Sequence, residues 1–130
     1  MVTTEAVIIM PILIAFLFLL IAAGRLTDAR GDVIGAARDA ARVASLQDDA
    51  GAAAIDAQAA ANASVSGERL NCSGGPRTET TFHPGFQRGA DVHVIVRCTV
   101  DLRDLTGVGI PARLELVGEA WERIDEHRSL

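Results

Sequence analysis

From Ala6 to Ala23 the chain carries no charged side chain, and this run limits what the rest of the protein can be. As a helix rising ~1.5 Å per residue it is roughly 27 Å long, close to the thickness of the hydrocarbon core of a bilayer. The expectation is a single membrane span. Glu5 stands at its lip and Pro11 lies inside it. A proline within a helix removes a hydrogen bond, and membrane or bundled helices offset the loss through neighbours and local distortion. Pro11 therefore predicts a kink or a loosened turn.

The flanks of the run do not fit an ordinary export signal. A secretory signal peptide needs a basic leader, whereas "MVTTE" offers an acid, and "IAAGR" matches the small-x-small cleavage pattern poorly. Arg25, Arg30, Arg38 and Arg42 follow the span with no basic residue before it, an order that puts the body of the protein in the cytoplasm by the positive-inside rule. A short basic leader, cut off ahead of Met1 by a peptidase, removes both conflicts. Met1 is then a mature N-terminus whose free amine reaches Glu5 of the same or a neighbouring subunit. That pairing offsets the cost of a carboxylate near lipid, and the positive end of the helix dipole adds to it.

Glu5, Pro11, the Ile/Leu/Phe run and the Gly24-Arg25 exit together resemble the N-terminus of type IV pilins and pseudopilins, most closely the TadE-like proteins of tight-adherence pilus systems. The alanine-rich stretch "GRLTDARGDVIGAARDAARVAS" extends the resemblance to about residue 45. The resemblance implies that a prepilin peptidase cuts just before Met1. It also implies that Glu5 is the acid that recruits or registers the subunit during assembly.

Beyond the span, helical spacing continues. Leu26, Ala29, Val33, Ala36, Ala40 and Val43 recur at steps of three and four, and Ala50, Ala54, Ala57 and Ala61 extend the stripe. One long helix is the economical reading, with a break near Gly51 as the alternative. Alanine permits close approach but contributes little burial, so the stripe suits packing against a sheet or sibling helices. Asp28, Asp32, Asp39, Arg38 and Arg42 fall largely on the wet side. Paired acids such as Asp48-Asp49 read as solvated carboxylates on a helix surface.

After "NASVSGE" the period shortens to two. Val92, Val94, Val96, Cys98, Val100 and Leu102 share one face of a strand, while Asp91, His93, Arg97, Thr99 and Asp101 share the other. In "ARLELVGEAWERI" the same rule puts Leu114, Leu116 and Ala120 on one side, and Val117 and Trp121 on the other. "DLTGVGIP" between them reads as a loop. A short strand or strand edge around Cys72 completes a sheet of about three antiparallel strands. The expected architecture is α+β: residues 1–24 a membrane helix, 25–66 an amphipathic helix continuing it, and 67–130 a small extracytoplasmic β-rich domain. "SGGPRTETTFHPGFQRGA" reads as a polar loop whose Phe82 and Phe86 either mark a partner contact or tuck over the sheet edge.

Composition sharpens the class. With aromatic residues at 4% and no Tyr, the domain buries little large apolar surface and needs other support. Its two cysteines, Cys72 and Cys98, read as a disulfide in an exported domain, or as two buried thiols in a cytosolic one. A formal charge of −5 argues against nucleic acid as a partner. His83, His93 and His127 lack ligand spacing, and no phosphate-cradling turn or nucleophile motif is present. "NAS" and "NCS" match the glycosylation triplet, a short pattern frequent by chance.

These features point to a structural protein with no enzymatic activity, no cofactor and no metal. The expected role is a TadE-like minor pilin or pseudopilin, single-pass in the bacterial cell membrane with its C-terminal domain outside. Its partners would be membrane lipid, other pilin subunits, the assembly machinery and prepilin peptidase. The alternative is an unprocessed single-span anchor presenting a small binding domain.

Overall fold

The computed structural model describes residues 2–67, 70–107 and 109–127. In chain order these form helix α1 (Val2–Ser45), helix α2 (Ala50–Gly67), strand β1 (Arg77–His83), strand β2 (Asp91–Asp101), short helix α3 (Leu102–Thr106) and strand β3 (Arg113–Arg123). The α+β reading holds: the three strands make one antiparallel sheet in the order β1-β2-β3, with the helices packed on one face.

α1 has 44 residues and is therefore about 66 Å long. It changes character along its length. From Glu5 to Ile21 every residue is exposed, whereas Ala29, Val33, Ala36, Ala37, Ala40, Ala41 and Ala44 are buried. That buried face is wider than a single stripe because α1 is covered twice, by the sheet and by α2.

Residues 25–66 do not form one continuous helix, and the break expected near Gly51 falls just before it, between Ser45 and Ala50. α1 ends at Ser45, whose Oγ donates to the carbonyl of Arg42 at 2.8 Å, and tighter turns follow as Leu46 N donates to Val43 O and Gln47 N to Ala44 O. Asp49 then starts α2: its Oδ2 accepts from Gly51 N at 3.0 Å and from Ala52 N at 3.1 Å. Asp49 is thus a helix N-cap and not a solvated helix-surface acid. With the chain turned back along α1, the inward positions are Ala53, Ala57, Ala61 and Val65. Ala54, expected on the stripe, is exposed because the interruption resets the helical phase.

In the sheet, β2 buries Val92, Val94, Val96, Cys98 and Val100 as its alternation requires. Opposite them on β3 lie Leu114, Leu116, Gly118, Ala120 and Glu122, and on β1 Thr78, Thr80 and Phe82. Two expectations fail locally. The first strand is "RTETTFH", within the stretch expected to be a loop, while Cys72 lies in irregular chain before it. Its β-branched threonines alternate with polar residues and suit an edge strand whose partner supplies most of the apolar surface. Leu102 does not continue β2: Asp101 accepts from Arg103 N at 3.0 Å and caps α3, which Gly107 closes with a φ of 70°. Phe86, in the turn after β1, packs edge-on against Phe82 at 5.0 Å, and both border the core.

Cys72 and Cys98 form a disulfide with their Cα atoms 5.2 Å apart. It ties the segment after α2 to the central strand, beside a hydrogen bond from Ser73 N to Thr99 O at 2.8 Å. At the same end of the module Arg25 leaves the packed region, its Nη1 donating to the carbonyl of Leu105 at 3.5 Å.

Candidate functional site

Arg25 marks a neck, and everything N-terminal to it is an arm. Val7 is 72% exposed, Leu19 64% and Phe16 57%, and among the described residues none covers any side of the helix between them. An apolar surface running round a whole helix requires an apolar surrounding, either lipid or other helices. By length and composition this segment can cross a membrane.

Glu5 lies in the first turn of α1 and is exposed, with no ion pair among the described residues. Its carboxylate therefore sits where the helix presents its unsatisfied N–H groups and positive dipole end. Met1, expected to be its partner, lies outside the described residues. The helix continues through Pro11, which has no N–H to offer the carbonyl of Val7. Glu5 and Pro11 are thus about 9 Å apart along one apolar rod. Cys72 and Cys98 are on the far side of the neck, in the globular module.

The three histidines are not brought into one cluster. His127 lies near the C-terminal end of the described chain with Asp125 at 3.5 Å. His93, on the outward face of β2, stacks on Trp121 of β3 with ring centroids 3.9 Å apart and an interplanar angle of 9°. His83 leans on the same indole at 5.6 Å. Among the described residues no group of three His, Cys, Asp or Glu is arranged to hold a metal ion. The His93–Trp121 stack is not legible in the sequence, because alternation shows that each points outward but not that the strands pair them.

With this geometry in hand, residues 1–42 match the family model described as TadE-like protein. That segment is TadE-like. The match spans the apolar arm, the neck and most of the part of α1 that packs on the sheet. Comparison with curated proteins finds no match, and neither does comparison with solved structures.

Proposed function

We propose that the protein is a minor pilin or pseudopilin of a Tad pilus, held in the membrane by its TadE-like arm until that arm is drawn into an assembly of like helices. The observation that carries this reading is the division of α1 into a half covered by its own chain and a half that stays exposed among the described residues. Lipid satisfies the free half before assembly, and sibling helices take its place afterwards. The module beyond the neck then stands outside the membrane, where its disulfide is at home.

On this reading a prepilin peptidase removes a leader before Met1, Glu5 sets the register of the subunit against its neighbours, and the protein works by packing without catalysing a reaction or using a cofactor. The test is a Glu5→Ala variant expressed from the full gene, followed by fractionation into membranes and sheared surface material. Normal membrane insertion with loss from the surface fraction is the expected result. Incorporation at the wild-type level would overturn the assembly role of Glu5. An initiator methionine retained on the mature N-terminal peptide would instead favour a plain membrane anchor.

A further inference from the structure

The end of the module farthest from the membrane arm carries an open groove of about 750 Å³ between the last turns of α1 and the end of β3. Arg38, Asp39 and Arg42 line it from the helix, and Trp121, Glu122 and Arg123 from the strand. Arg42 is seventeen residues beyond the neck at Arg25, about 25 Å along the helix axis. The groove therefore faces away from the bilayer when the arm is inserted.

Its side chains divide sharply by engagement. Arg123 pairs with Asp91 at 3.7 Å and donates to the carbonyl of Gly89, and Asp125 at the rim has His127 at 3.5 Å. Arg38, Asp39, Arg42 and Glu122 make no ion pair or side-chain hydrogen bond among the described residues. Two free guanidinium groups and two free carboxylates thus share one groove with an indole. Trp121 is 58% exposed, and it is held from beneath by His93, whose side chain is only 14% exposed. The ring is a supported platform and not a loose surface side chain.

Mixed charges of this kind select among ligand chemistries. A compact anion meets Asp39 and Glu122, a cation meets the arginines, and an apolar ligand leaves all four charges without partners. A polyhydroxylated ring uses both signs, since neighbouring hydroxyls donate to a carboxylate and accept from a guanidinium. Its C–H face, slightly positive, lies against the negative face of an indole.

We infer that this groove binds a neutral saccharide, with Trp121 as the platform and Arg38, Asp39, Arg42 and Glu122 as the hydroxyl ligands. Trp121 is the single tryptophan of the chain and so reports on its own site. The full chain, placed in phosphatidylcholine nanodiscs free of glycolipid and sugar detergent, is titrated with neutral malto-, cello-, manno-, galacto- and N-acetylglucosamine oligosaccharides while tryptophan emission is followed. The expected result is a saturable change with at least one series, little altered by sodium chloride. Arg38→Gln, Asp39→Asn and Arg42→Gln should each weaken it about tenfold or more with unchanged circular dichroism. Silence towards every series at millimolar concentration would overturn the inference. So would a response that survives all three substitutions, or one confined to polygalacturonate or polyglutamate and abolished by salt.

Discussion

Gly118 of β3 lies directly against the backbone of Val33 in α1: a Cβ built on it would stand 2.5 Å from the Val33 carbonyl oxygen and 2.8 Å from the Ile34 nitrogen. The obstructing atoms are backbone in the middle of a long helix, and they cannot swing aside as a side chain can. Helix and sheet approach this closely because both contribute small residues, alanines from α1 and Gly118 with Ala120 from β3. Gly118→Ala is expected to force the layers apart and destabilise the module by about 1–3 kcal/mol. Thermal unfolding followed through Trp121 emission checks this, and an unchanged midpoint would contradict the close approach.

Gln58 of α2 takes the place of a missing strand beside β1. Its Oε1 accepts from Thr78 N at 2.9 Å, and its Nε2 donates to the carbonyl of Pro76 at 2.8 Å. The amide thus covers part of a sheet edge that would otherwise be open to pairing with another chain. Gln58→Leu should leave both backbone groups unpaired at a cost of about 1–3 kcal/mol. The sharper readout is hydrogen exchange at the Thr78 amide, which should lose protection well before the amides of β2 do.

Thr78 and Thr80 present the opposite case. Both point from β1 toward the helices, opposite Val96 and Val94, and their hydroxyl oxygens are buried without a hydrogen-bond partner among the described residues. Replacing a buried, unsatisfied hydroxyl by a methyl group of similar shape removes a desolvation cost. Thr80→Val is therefore expected to stabilise the module by about 1 kcal/mol, measured as a higher urea midpoint with an unchanged slope. A lower midpoint would mean that the hydroxyl has a partner after all.

Removing the capping carboxylate of Asp49 tests the hairpin itself. Asp49→Ala leaves Gly51 N and Ala52 N unsatisfied and should cost about 1 kcal/mol. Faster amide exchange should appear first in residues 50–54, while the centre of α1 remains protected. Uniform acceleration across both helices would indicate one cooperative unit with no separate role for the cap.

The disulfide closes a sequence separation of 26 residues in a module with few large core side chains. In the chain-entropy account such a loop stabilises by about 3.5 kcal/mol. Cys72→Ala combined with Cys98→Ala should consequently lower the unfolding midpoint substantially. The wild-type protein in reductant should behave in the same way, and coincidence of oxidised and reduced unfolding curves would remove the disulfide from the account of stability.

The chain's local chemistry was enough to establish the apolar arm, Glu5 at its lip, the inward alanines from Ala29 to Ala40, and the faces of β2 and β3. Each of these rests on a period or a run within one segment, and burial follows such periods directly. The return of α2 was encoded too, in "QDDAGAAA", but an Asp before alanines serves equally well as a surface charge or as a cap until the chain is seen to turn. β1 was missed for a related reason: "RTETTFH" has little apolar content, and it becomes a strand by pairing with β2 and by the support of Gln58.

What tertiary structure alone decided are the relationships between segments. The stacking of His93 on Trp121 depends on the register of two strands, and the meeting of Arg38, Arg42 and Trp121 along one groove depends on where α1 crosses the sheet. No periodicity contains that information. A repeat says which way a side chain points, whereas its neighbour across space is chosen by the packing of whole elements, here by the contact between Gly118 and the Val33 backbone.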